Sequence, residues 1–161
     1  LHRQWVRAAV EQSNAEEEDM TIRVGSGQLI NPQALEAAVN GPDGANRLFV
    51  FTGAAPVYVG SSSQPGTSST AKETFTWLLG PQLARRQFVK AVADASIAHW
   101  GTSANSPNPV PNFVVDLVEA DWDDESQQVE CRVEVRVDVQ GGGIQVNRIN
   151  YNVTVLAEIG Q

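Results

Sequence analysis

The stretch Val129-Glu130-Cys131-Arg132-Val133-Glu134-Val135-Arg136-Val137-Asp138-Val139 alternates one apolar and one charged residue for eleven positions. Side chains of a strand point to opposite faces in turn, so this pattern gives one apolar and one charged face. A helix would scatter the same valines around its axis.

Its neighbours read as strands too. Phe113–Trp122 precedes it across the polar turn Asp123–Gln128, and Ile144–Ile159 follows Gly141-Gly142-Gly143. Three glycines allow positive φ, so a tight reversal is expected there. In the last segment the apolar residues change parity. Ile144 and Val146 are even, whereas Ile149, Tyr151, Val153 and Val155 are odd. One unbroken strand cannot send both sets to one face, so a β-bulge is predicted near Asn147–Arg148.

A meander with one apolar face needs a cover. A long helical region is expected from about Lys72 to Trp100, with Phe75, Leu78 and Leu79 as a first apolar patch and a kink or break at Gly80-Pro81. Residues 82–100 then supply Leu83, Phe88, Val92, Ala95 and His99 at steps of three to five, which predicts a long helix ending ahead of Gly101. The expected fold class is therefore α+β: an antiparallel meander over residues 113–159, packed on one face by that helix. Further elements are a short N-terminal helix over residues 2–14 and one or two short strands, at Thr21–Val24 and Arg47–Thr52 with Ala55–Val59 as partner. A helix over 31–39 is also expected, capped by Asn31 with Pro32 at its first position and with Ala34, Leu35, Ala38 and Val39 on its buried side. Gly60–Thr70 reads as a loop. Residues 1–19 form an arm with an acidic connector, Glu16–Asp19, and residues 20–161 form a single domain.

Composition bounds function. The net charge of −8 opposes nucleic acid and anionic membrane surfaces, both of which call for clustered Lys and Arg. No run approaches the ~18 apolar residues of a membrane span, so no membrane insertion is expected. The single cysteine, Cys131, cannot form an intrachain disulfide and sits at an apolar position of its strand. The expected location is cytoplasmic or within a larger soluble assembly. Export stays open because the chain begins at Leu1.

The search for chemistry yields no nucleophile elbow, phosphate-loop signature or zinc spacing, and no cofactor or metal is expected. Weaker features are His99 with Asp94 or Asp116 as a hydrolase-type base and carboxylate, and Ser96 at helical spacing from His99. Ser68, Ser69 and Thr70 would stand at a helix start as an anion site, and Asp121, Asp123, Asp124 and Glu125 cluster in a turn as candidate Ca²⁺ ligands. Trp77, Phe88, Trp100, Trp122 and Tyr151 would line a pocket between helix and sheet, suited to a small ligand or peptide. The reading favoured by these absences is a non-catalytic structural or assembly subunit, since a sheet with open edges invites pairing and natural proteins cover or pair such edges. Its expected contacts, with protein subunits and most simply copies of itself, run through sheet edges, the arm residues Trp5, Val6 and Val10, and the charged face Glu130, Arg132, Glu134 and Arg136.

Overall fold

A computed structural model describes residues 21–41, 44–103 and 108–159. Six strands form one connected, mixed sheet: β1 (Thr21–Arg23), β2 (Ile30–Gly41), β3 (Gly44–Leu79), β4 (Phe88–Thr102), β5 (Val110–Trp122) and β6 (Val129–Glu158). The only helical element among the described residues is a single 3-10 turn at Ser26–Gln28. The fold is therefore nearly all β, and the α+β expectation is overturned.

The deciding stretch behaves as its alternation requires. Val129, Cys131, Val133, Val135, Val137 and Val139 are all buried, and the charged residues between them are half-buried on the opposite face. No helix among the described residues covers the valines. The cover comes from the far half of the same ribbon. β3 and β6 pair antiparallel from Asn46–Glu158 to Leu79–Val129, interrupted where residues 64–67 of β3 stand opposite Gly141 alone. Such a mismatch bends a ribbon sharply. Gly66, Gly141 and Gly142 adopt φ of 79°, 63° and 145° there, values that glycine reaches without a Cβ penalty. The three glycines thus bend a continuous strand and do not close a hairpin between two meander strands.

The bend brings the two halves of the ribbon face to face. From Cys131, the partner of Trp77, to Tyr151 an extended β6 would run about 66 Å at 3.3 Å per residue, yet the Trp77 and Tyr151 rings stand 5.3 Å apart. One layer is β2, residues 44–63 of β3, residues 142–158 of β6, and β4. The other is β1, residues 68–79 of β3, residues 129–140 of β6, and β5. Phe49, Phe51, Val57 and Val59 from the first layer meet Phe75, Trp77, Leu79 and the Val129–Val139 set from the second in one core.

Residues 88–102 form β4, paired with β6 from Phe88–Ala157 to Thr102–Ile144. Ala91, Ala93, Ala95 and Ile97 turn toward the core, and Val92, Asp94, Ser96 and Ala98 turn outward. Alanine satisfies a helical and a period-two pattern equally, so pairing with the open side of β6 decides the outcome. Residues 31–39 lie in β2, held by a hairpin register from Gln33–Thr52 to Gly41–Gly44. Gly60–Thr70 lies within β3, with residues 64–67 out of register with β6, and Arg47–Thr52 and Ala55–Val59 are parts of that same strand, not partners. The register of β6 breaks between Val146 and Arg148 against both neighbours, at the place where its apolar parity changes. β1 and β5 occupy the places anticipated for the short strand Thr21–Val24 and for the strand Phe113–Trp122 that precedes the deciding one. The helix expected over residues 2–14 lies outside the described residues.

The segment between β3 and β4 closes one end of the sandwich. Leu83 is buried, its N–H donates to Gln127 O at 2.7 Å, and its carbonyl accepts the Trp122 indole N–H at 2.8 Å. Gly80 turns the chain into it with φ of 77°, and a Cβ at this position would lie 2.7 Å from the Phe51 ring. Gly80→Ala combines left-handed strain with a collision against a buried ring. It is expected to lower unfolding free energy by about 2 kcal/mol or more in urea titrations; a loss below about 0.5 kcal/mol would contradict the close approach of the layers.

Candidate interaction surface

The outer face of the second layer carries the charges of β6, and each is matched inside the chain. Glu130 accepts from Arg23 at 3.3 Å, Lys72 pairs with Glu134 at 2.8 Å, Arg132 with Glu119 at 3.4 Å, and Arg136 with Asp116 at 3.4 Å. These pairs cross all four strands of the layer. Each contributes a few tenths to about 1 kcal/mol, and together they fix register. Asp138 accepts hydrogen bonds from the Thr70 hydroxyl at 2.8 Å and the Asn112 amide at 3.0 Å. The Thr70 bond first, then the Asn112 bond and the charge of Arg136, hold its carboxyl below the ordinary value near 3.8. A carboxylate whose pKa is depressed on folding contributes stability that is present above its unfolded value and disappears as pH falls through its folded value.

The aromatic residues expected in one pocket fall in three places. Trp77 and Tyr151 are core residues, and Trp77 Nε1 and Tyr151 Oη are buried with no hydrogen-bond partner among the described residues. Burial, then the nearby Cys131, raises the Tyr151 pKa. Phe88 and Trp122 each lie 5.6 Å from the Arg85 guanidinium, at the end closed by Leu83. Trp100 lies on β4 against Phe113 of β5, with ring centroids 5.2 Å apart. The helix expected over residues 82–100 as one wall of that pocket is replaced over most of its length by strand β4.

The weaker chemical candidates are equally dispersed. His99 is exposed on β4, with Nδ1 3.4 Å from the Asn147 amide nitrogen. Among the described residues no hydrogen bond or ion pair joins it to Asp94, which is exposed, or to Asp116, which faces Arg136. Ser96 and His99 lie on a strand that carries a register break between them, so helical proximity is lost. Ser68, Ser69 and Thr70 lie in β3, not at a helix start. In the Asp121–Glu125 turn, Asp123 accepts the Ser126 N–H at 2.9 Å, and Asp121 accepts the Trp122 N–H at 2.7 Å. No group of three or more His, Cys, Asp and Glu side chains converges as a metal site among the described residues. The Cys131 thiol is pushed up to about 12, chiefly by burial, which keeps it protonated and inert at neutral pH. Three open, polar hollows of about 200, 370 and 430 Å³ surround the bend, lined mainly by hydroxyl, amide and backbone groups.

The first layer presents a different outer surface. Directly paired residues share a face, so the register places Leu35, Val50, Thr154 and Val92 in one transverse row and Ala37, Leu48, Leu156 and Lys90 in the next. Leu35 is 64% exposed and Val92 57%. β2 is exposed along nearly its whole length on both faces, and its far edge pairs with no strand among the described residues. Helical patterning had assigned Leu35 and Val39 to a core and so concealed this surface. The arm residues Trp5, Val6 and Val10 lie outside the described residues. No helix among the described residues is long and apolar enough to cross a membrane.

Comparison with protein-family models, curated proteins and solved structures finds no match to this chain.

Two measurements check this description. Thr70→Val removes the leading hydrogen bond to Asp138, and an NMR titration is expected to show the Asp138 pKa rising toward 3.8; an unchanged value would contradict the assignment. Tyr151→Phe deletes a buried hydroxyl that makes no hydrogen bond among the described residues, so unfolding free energy should stay within about 0.5 kcal/mol or increase. A loss above about 1 kcal/mol would show that the hydroxyl is bonded.

Proposed function

We propose that this chain is a non-catalytic assembly subunit whose contacts run through the outer side of the first layer and its free β2 edge, with protein subunits as partners. The carrying observation is β2 itself: an edge strand of 12 residues, exposed on both faces, with Leu35 and Val39 uncovered. Exposed edges template pairing with other chains, and natural proteins protect them with lysine, proline or bulges. From Gln33 to Gly41 this edge contains no proline and no lysine, and its one charge, Glu36, is paired to Arg47 of β3. The apolar rows beside it add a surface of the kind found at protein contacts.

The contrast between the two outer faces supports the same reading. Charges on the second layer are matched within the chain, so that face has little electrostatic demand for a partner. The dispersal of His99, Asp94 and Asp116 removes the support for a hydrolase-type reading, and the scattering of the five aromatic residues removes that for a pocket under a helix. A cytoplasmic location, or one within a larger soluble assembly, accords with this proposal and with the acidic composition.

Light scattering of the full chain over a wide concentration range provides the test. The expected weight-average mass exceeds the monomer's 17.4 kDa and rises with concentration. A strict monomer at the highest concentration reached would overturn the proposal.

A further inference from the structure

We infer that the partner on the β2 edge is a second copy of this chain, paired antiparallel through residues 33–41 about a two-fold axis at Ala37. This deepens the assembly reading and rests on it.

The hairpin between β2 and β3 decides which backbone groups of β2 face the open edge. Gly41 pairs with Gly44, three positions away. A pair so close to its connection must be one that exchanges hydrogen bonds, because the next pair inward in sequence would join adjacent residues. Alternation then assigns the inner ladder to Gly41, Val39, Ala37, Leu35 and Gln33. Ala34, Glu36, Ala38 and Asn40 turn N–H and C=O to the open edge.

Usable edge ends at Pro32, which has no N–H, beside Asn31 at φ 47° and a register break between Ile30 and Gln33. The uninterrupted segment is Gln33–Gly41, and its midpoint is Ala37. A two-fold axis normal to an antiparallel pair passes between a residue and its own copy. The register that uses the whole segment therefore sets Ala37 against Ala37 of the second copy. Ala34 then meets Asn40, and Glu36 meets Ala38. All four are outward-facing residues, so each finds a partner able to exchange hydrogen bonds.

Side chains agree with the same register. Leu35 falls opposite Val39 of the second copy, twice by symmetry, and Ala37 opposite itself. The apolar row Leu156–Leu48–Ala37 continues across the axis into its own mirror, giving a sheet that extends through both copies. Glu36 faces Ala38 and remains beside Arg47. A centre at Glu36 would oppose two like charges, and a centre at Leu35 or Val39 would leave outward groups of Ala38, Asn40 or Ala34 unpaired. Ala37 is the one centre that avoids both.

Ala37 lies in a non-bonded pair of the new ladder, where Cα atoms approach to about 4.5 Å, within the span a disulfide bridges. Ala37→Cys therefore tests the register directly. Under mild oxidation with glutathione disulfide, Ala37→Cys should become a covalent dimer on non-reducing gels. Leu35→Cys should not, because its two copies would be offset by about 13 Å along the strands. Cys131 is buried and does not compete. Independently, Ala38→Pro removes an outward N–H without touching the inner ladder. It is expected to weaken association at least tenfold in light scattering while the far-ultraviolet circular dichroism is unchanged. If Ala38→Pro fails to fold, the cysteine pair decides alone. Equal cross-linking at positions 35 and 37 would overturn the inference. So would an oligomer that neither links at 37 nor responds to Ala38→Pro, which would leave the assembly reading standing on another surface. A wild-type chain that stays monomeric would overturn both.

Discussion

The antiparallel ladder between β3 and β6 governs this molecule. Both strands are long, 36 and 30 residues, and each is bordered on its outer side by shorter strands. Laid flat, such a ribbon would leave the apolar side of each half in water. Folding it at the excursion opposite Gly141 lets its halves bury each other. The valines of one half then meet Tyr151, Val153 and Val155 of the other. At about 25 cal/mol per Å² this mutual burial is the main favourable term of folding, and it requires no separate covering element. The bend is thus the structural equivalent of the helix that a meander would have needed.

The fold also sets what each surface can offer. On the second layer β6 runs between β3 and β5, and its charges find opposite charges on both sides and on β1. On the first layer the corresponding positions are Leu48, Val50, Thr154 and Leu156, with β2 at the margin. Among the described residues β2 has no second layer behind it and no strand beyond it. Its apolar side chains are exposed and its outward backbone groups pair with no strand among those residues, which is why the functional proposal rests on this edge and not on the charged face.

Much of the second layer was legible from residues alone. Val129–Val139 alternates apolar with charged residues, a contrast that no helical period imitates, and the parity change from Val146 to Ile149 located a break in register. Other elements were concealed by alanine. Ala91, Ala93 and Ala95 fit a helix as well as a strand, as do Ala34, Ala37 and Ala38, and local propensity yields to pairing with β6 and β3. Pro42-Asp43-Gly44, between two apolar runs, carried a turn signal that would have favoured a hairpin over a helix at 31–39. Gly141–Gly143 signals a change of direction but does not say whether a strand reverses beside itself or folds across. The apolar rows combine residues from β2, β3, β4 and β6, far apart in sequence, and only the register brings them into view.

Backbone nuclear Overhauser contacts between Hα and amide protons test the folded ribbon most directly. The account predicts contacts across β3 and β6 on both sides of the bend, such as Glu73–Val135 and Phe51–Val153, with ring contacts between Trp77 and Tyr151. Contacts pairing residues 131–139 with residues 145–153 across Gly141–Gly143 would instead establish a hairpin there, and would contradict the bend on which both layers depend.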